Sequence, residues 1–347
     1  MPEPPKSAPA SSNPRLQALL GHEFFAPHHW KRRLVLWAGA VLVALAAILF
    51  AKASVWSYQL FLRILDHGIW IPLILTPLVF GLLAQATEGR LRATRGSGIP
   101  QVIASLHIED GGFRTRMLSL PVAAGKMVLT LASLAVGASI GREGPTVHVG
   151  AALFYSIGRR FGFSDPKAAS RFILAGGAAG IAAAFNTPLA GVVFAIEELA
   201  GTFEHRFSGL LLTAVIIGGV VSLGVMGNYS YFGEVDASLP LGSAWLAVLL
   251  TGVGCGLLGG LFARLILLSR RGPLAQVGRL RARWPVLFAA GCGLALAVLG
   301  VCTHNSIYGT GYDQARAIVQ GTAAMPGQDF GIAKLLAKVV SYWAGIP

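Results

Sequence analysis

Charge is what this sequence has least of. Of 347 residues only 15 are acidic and 12% are charged, against 54% hydrophobic. That excludes the soluble multidomain class which the length alone would suggest. Cysteine is scarce too: Cys255, Cys292 and Cys302 show no C-x-x-C spacing, which removes thiolate metal sites and dithiol redox motifs and leaves packing as their expected role. No short apolar core with a small-residue cleavage site stands near the N-terminus, so no signal-peptide pattern is present. His22, Glu23, His28 and His29 match no ligand spacing, and no metal is expected there.

What the chain has in quantity is uncharged length. A helix needs about 20 apolar residues to cross a bilayer. Such runs occur at Leu34 to Ala51, Ile69 to Thr87, Phe172 to Ile196, Phe207 to Gly233 and Trp284 to Tyr312. The chain therefore reads as an all-α polytopic membrane protein, lying in a lipid bilayer through many spans. Most of the 44 glycines fall inside the apolar runs, which suits close-packed or broken membrane helices. Helices are predicted near 34–65, 70–87, 121–138, 144–158, 168–184, 188–201, 208–226, 243–270, 284–302 and 331–344, after a tail over 1–30 whose first 14 residues are rich in Pro, Ser and Ala.

The 28 basic residues give a net charge of +13. In a soluble protein this would raise nucleic-acid binding, but no motif supports it. The bases group between the spans: Lys31, Arg32 and Arg33; Arg90, Arg92 and Arg95; Arg114 and Arg116; Arg159, Arg160, Lys167 and Arg171; and Arg270, Arg271, Arg279, Arg281 and Arg283. All five groups on the cytoplasmic side make one consistent topology, with an N-terminus inside and the Tyr229 to Asp236 loop outside.

Membrane backbone is irregular only where protein buries it or a polar cavity faces it. Glycine-rich breaks at membrane depth therefore point to an ion or substrate site. Three occur: Gly96-Ser97-Gly98-Ile99-Pro100, Gly141-Arg142-Glu143-Gly144-Pro145, and Gly345-Ile346-Pro347. The first two lead into helical sequence, with glycines to turn the chain and proline at the first helical turn. Each would aim a helix N-terminus, with free N–H groups and positive dipole, into the protein. Two converging would make a pocket for a small anion without needing Lys or Arg; ordinary re-entrant turns are the alternative. A weak repeat accompanies the breaks: Lys126 lies eleven residues before Gly137 and Lys334 eleven before Gly345, with Ser133 and Ser341 in register.

Ionisable groups at membrane depth mark pathways by default. Arg142 and Glu143 form one such anomaly, read either as a neutralised pair in a short loop or as a carboxylate at a helix start, where it can occupy the place of an anion and yield it on protonation. Glu197 and Glu198 form a second, read as a helix end at the interface or as a proton entry point; as helical neighbours they diverge by about 100°. Ser97 offers a hydroxyl donor. Gly96-Ser97-Gly98 lacks the G-x-S-x-G spacing of a hydrolase, so no enzyme is expected.

GSGIP at 96–100, GREGP at 141–145 and GGAAGIAAAFNTPLAGVVFAIEE at 176–198 closely resemble the CLC family of chloride channels and chloride/proton exchangers. The resemblance covers roughly residues 30 to 347. It implies an inverted-repeat fold of tilted and broken helices in one membrane domain over 31–347, with a first repeat at about 31–228 and an incomplete second at about 240–347. It implies chloride and protons as transported species, no cofactor, a homodimer once the C-terminal helices are present, and the cell's inner membrane as location. Residue by residue, it gives Gly96, Ser97, Gly98, Ile99, Arg142, Glu143 and Gly144 as anion-binding. Glu143 would be the external gate and Glu198 the internal proton-transfer group that marks exchangers, while the serine at 97 favours chloride. The family's third motif, G-x-F-x-P, would begin where this sequence ends, and the tyrosine that closes the site from inside would come later. The resemblance thus implies a proton-coupled chloride antiporter, with a passive channel and a truncated, non-transporting fragment as alternatives.

Overall fold

A computed structural model describes residues 27–89, 91–163, 165–201, 209–228, 232–233, 242, 244–268, 275–321 and 330–345. Most of the tail, Arg90, Arg270, Arg271, Ile346, Pro347 and most of the Tyr229 to Asp236 loop lie outside these residues. The described residues are helical, with no strand among them. In order they form α1 (Pro27–Leu65), α2 (Ile71–Glu88), a 3-10 turn (Arg92–Thr94), α3 (Ile99–His107), α4 (Gly111–Met117), α5 (Leu120–Leu134), α6 (Glu143–Arg160), α7 (Pro166–Phe185), α8 (Pro188–Phe194), a π-helical turn (Ala195–Ala200), α9 (Gly209–Met226), α10 (Ala244–Leu268), α11 (Ala275–Arg283), α12 (Pro285–Cys302), α13 (Tyr312–Gln320) and α14 (Phe330–Ala344).

Among the described residues, seven stretches are long and apolar enough to cross a membrane: α1, α2, α4 with α5, α7, α9, α10 and α12. The protein is an integral multi-pass membrane protein. Helix α1 has 39 residues, about 58 Å at 1.5 Å per residue, so it exceeds a hydrocarbon core of about 30 Å and must tilt or project beyond it.

The interior is built on α6 and α7. Asp165 caps α7, its carboxylate accepting from the amides of Lys167 (3.0 Å) and Ala168 (3.2 Å), and Pro166 opens the helix. Asn186, in the left-handed conformation at φ +56°, ends it, and Pro188 starts α8. Between these caps the Ala- and Gly-rich run Phe172 to Ala184 is buried throughout. Small side chains let α6 and α7 approach backbone to backbone at Gly150 and Gly176. One apolar cluster forms here, around Val147, Ile173 and Leu199. A second joins α2, α12 and α14 around Phe61, Phe80, Leu296 and Tyr308.

Arg114 departs from its expected place among the topology charges. It is fully buried and clamps three helices, donating to the carbonyls of Ser105 (2.8 Å), Ile108 (3.1 Å) and Pro166 (3.0 Å) and to the Ser170 hydroxyl (2.8 Å). The predicted spans hold with three amendments. The 121–138 helix stops at Leu134; the 188–201 segment is α-helical only to Phe194; and the 34–65 helix starts earlier, at Pro27, while the Trp284 to Tyr312 run breaks after Cys302 where the predicted 284–302 helix ends. That last break passes through left-handed His304, Asn305, Gly309 and Gly311 before α13 begins. Of the cysteines only Cys292 is buried; Cys255 and Cys302 are exposed, so packing inside the bundle accounts for one of the three. Helix α10 has no buried residue across its apolar window, as a helix facing lipid or further protein would.

Candidate functional site

Two of the predicted glycine-rich breaks are brought together. Gly96 and Gly98 both have left-handed backbones, at φ +79° and +107°, and α3 starts immediately after them. A Cβ on Gly98 would stand 2.7 Å from His148 Cβ and 2.9 Å from the Gly144 carbonyl oxygen, and a Cβ on Gly144 would stand 2.6 Å from the Ser97 carbonyl oxygen. The starts of α3 and α6 therefore meet with no side chain between their backbones, and glycine alone permits the contact. The first amides of each helix have no intrahelical acceptor, so both positive ends face the Ser97 region.

The loop is held from behind by a buried cation. Lys126 of α5 donates from Nζ to the carbonyls of Thr94 (2.8 Å) and Gly96 (2.6 Å). The same device recurs where the lysine repeat placed its partner. Lys334 of α14 donates to the carbonyls of Ile307 (2.6 Å), Tyr308 (3.2 Å) and Gly309 (2.8 Å). The loops match as well: Gly96-Ser97-Gly98 and Gly309-Thr310-Gly311 both carry left-handed glycines at their ends, and the glycines eleven residues past each lysine, Gly137 and Gly345, are left-handed too. The weak sequence repeat is thus a repeat of backbone geometry.

Gly96, Ser97, Ile99, Glu143 and Gly144 line one cavity of about 580 Å³, and Gly345 lies on it also. Arg142, although adjacent, turns away: its Nη1 donates to the Ala51 carbonyl (2.9 Å) and its guanidinium lies 5.6 Å from the Tyr312 ring centre. Glu143, half-buried at the start of α6, accepts a hydrogen bond from the Tyr312 hydroxyl. Arg95, Arg281 and Lys338 also line the cavity. Arg95 is paired with Glu88 at 2.5 Å, and Lys338 lies close enough to feel the Glu143 charge. Helix starts and a hydroxyl thus share the cavity with three cations, whereas the sequence reading needed none to bind an anion.

Glu198 is not on this cavity. Both Glu197 and Glu198 are exposed on the π-helical turn that ends at left-handed Gly201, while Leu199 between them and Ala200 packs inward against Gly177. A single π turn inside a helical segment widens the backbone by one residue and is often found at functional sites.

Sequence reasoning missed Tyr312, Lys338 and the loop ahead of α13. The available signal was the pattern Gly309-x-Gly311, which copies Gly96-x-Gly98 ahead of the second lysine but lacks the proline that marked the other breaks.

Fold and cavity together define a polytopic all-helical membrane protein in which glycine-broken helix starts meet on a cavity lined also by Arg95, Arg281 and Lys338. The chain belongs to the voltage gated chloride channel family, the CLC family, whose family model matches residues 85–347. It is 32% identical over 269 residues to the H(+)/Cl(-) exchange transporter ClcA of Cronobacter sakazakii (strain ATCC BAA-894), covering 73% of this chain and 56% of that protein. It is 33% identical over 241 residues to ClcA of Yersinia pestis, covering 65% of this chain and 48% of that one. The chain thus spans about half the length of these curated relatives. Among solved structures, a CLC-type fluoride/proton antiporter superposes with a TM-score of 0.73 at 25% identity, over 90% of this chain and 75% of that one. A slow cyanobacterial Cl-/H+ antiporter gives 0.71 at 20% identity, over 90% and 73%.

Proposed function

We propose that the protein is a chloride/proton antiporter in which chloride sits at the convergent starts of α3 and α6. The observation that carries this is the contact of Gly144 with Ser97, which puts two helix N-termini and a hydroxyl on one cavity with Glu143. Amides at a helix start bind a small anion through partial charges and N–H donors, without a full counter-charge that would hold it too tightly to leave. In this reading Gly96, Ser97, Gly98 and Ile99 form the inner cradle, and the amides of Arg142, Glu143 and Gly144 the outer one. Glu143 competes with chloride for the outer place and yields it when protonated. Glu198, exposed on its π-helical turn, exchanges protons with cytoplasmic water. The relatives named as exchangers support coupling over passive conduction. The working unit is a homodimer in the inner membrane, with the N-terminus cytoplasmic, as the basic groups between the spans favour.

The test is ion flux in liposomes that contain the full-length protein. Chloride loading driven by a proton gradient, and proton movement driven by a chloride gradient, are the expected results. Chloride flux without proton movement would make the protein a channel. Glu143→Ala is expected to keep chloride flux and lose proton movement, and Glu198→Gln to lose proton movement while Glu143 is intact. The same liposomes loaded with fluoride decide between the two anions carried by its structural neighbours.

A further inference from the structure

Glu143 is the first residue of α6 and Tyr312 the first of α13, and they meet across the two halves of the fold: the Tyr312 hydroxyl donates to Glu143 Oε1. We propose that Tyr312 is the positioning residue of the gate, holding the Glu143 carboxylate in one orientation and tying it to the second half of the chain. This rests on the role given above to Glu143.

Tyr312 is presented by a stiff support. Its loop carbonyls, Ile307 to Gly309, are all taken by Lys334 Nζ. Tyr308 is buried edge-on against Phe61 at 4.9 Å between ring centres, with its hydroxyl on the Ala297 carbonyl at 3.2 Å. Gly311, left-handed at φ +90°, then turns the chain so that α13 opens on Tyr312. The ring is set on one side by Phe232, with 6.2 Å between ring centres, and on another by the Arg142 guanidinium, itself anchored on the Ala51 carbonyl. Arg142 therefore fixes the tyrosine that fixes its neighbour.

A phenol donating to a carboxylate holds it in the bonded rotamer. The other charged groups around Glu143 are cations from separate elements: Arg142 beside it, Lys338 of α14, and Arg95 and Arg281 across the cavity, with Asp313 of α13 exposed beyond Tyr312. Those cations surround the carboxylate but do not select a rotamer. Tyr312 is the directional contact.

Tyr312→Phe keeps the ring contacts and removes the donor. In liposomes bearing the full-length protein, chloride flux at fixed pH is expected to rise by about tenfold or more, the range that loss of one charge-assisted hydrogen bond gives. In a Glu143→Gln background Tyr312→Phe should move nothing further. An unchanged flux, or an equal change in both backgrounds, would overturn the proposal. A readout that needs no transport separates this from failure of the antiporter reading. The infrared C–O band of the Tyr312 phenol, assigned by its absence in Tyr312→Phe, is expected to shift in Glu143→Ala. A band that stays in place means that no bond exists, whether or not the protein moves chloride.

Discussion

Lys126→Met tests whether a buried cation holds the anion loop. Lys126 is fully buried, and two of its three donors are spent on Thr94 and Gly96. Methionine matches its length, so little cavity opens. What is lost is two charge-assisted bonds, roughly 1.5–3 kcal/mol each, partly offset because an ammonium no longer has to be kept out of water. The residue left behind is a pair of buried carbonyls costing about 1–3 kcal/mol apiece when unsatisfied. Relief of the several kcal/mol that burying the ammonium costs leaves a net on the order of 1–4 kcal/mol; it falls on one loop, so it appears as local opening at the start of α3. The reporter is the amide of Val102, which donates to the Gly98 carbonyl at 3.1 Å as the first rung of that helix. At about 1.4 kcal/mol per decade, its hydrogen exchange in detergent should accelerate roughly 10- to 1,000-fold. Lys334→Met should do the same to the Ile307 to Gly309 loop and leave Val102 alone. If Val102 exchange in Lys126→Met stayed within about twofold of the parent while the melting temperature fell, the lysine would be a packing element and not the anchor of the loop.

Gly144→Ala drives a Cβ into the Ser97 backbone at 2.6 Å; calorimetry should show chloride affinity falling at least about tenfold, with about 1–3 kcal/mol of stability lost to overpacking, whereas Gly254→Ala on α10, with nothing within 4 Å, should change neither. Asp110 caps α4 through the amides of Gly112 (3.0 Å) and Phe113 (2.9 Å). Those amides hold its carboxyl below the ordinary carboxylate range. The cap is therefore fully present above that range and lost as pH falls through the depressed value, so protection of the two amides should drop only in strong acid. Asp110→Ala should remove that protection at every pH, and protection unchanged in Asp110→Ala would refute the capping role.

Much of this architecture was legible because lipid leaves few options. Apolar length predicted α2, α7, α9, α10 and α12 within a few residues, and α1 except for its first seven, since a spanning segment has no other way to satisfy its backbone. Glycine and proline gave the starts of α3 and α6, where left-handed geometry or close approach excludes other residues. The short helices α4, α11 and α13 were not legible, because seven to nine residues carry little periodicity. Tyr312 was invisible for a related reason. Its partner stands 169 residues away, and nothing in a single sequence pairs a tyrosine with a glutamate at that separation. Arg114 misled because arginine outside an apolar run resembles any interfacial charge; only its contacts on α3 and α7 distinguish a clamp from a topology signal.

The two lysines and the broken helices explain each other. A glycine-rich break at membrane depth frees helix amides for a ligand, but it also leaves loop carbonyls without partners, and each such carbonyl in a water-poor interior is costly. A buried ammonium is costly as well, yet its three donors are what a cluster of stranded carbonyls requires. Each penalty cancels the other at Thr94 and Gly96, and again at Ile307 to Gly309. The cancellation is also directional. Carbonyls drawn onto a lysine on one side of the loop leave the negative ends of those peptide dipoles pointing away from the cavity and the helix amides pointing toward it. The cation that sits closest to the loop thus contributes by orienting dipoles, which suits the chloride site proposed at the α3 start although Lys126 itself lies behind the loop.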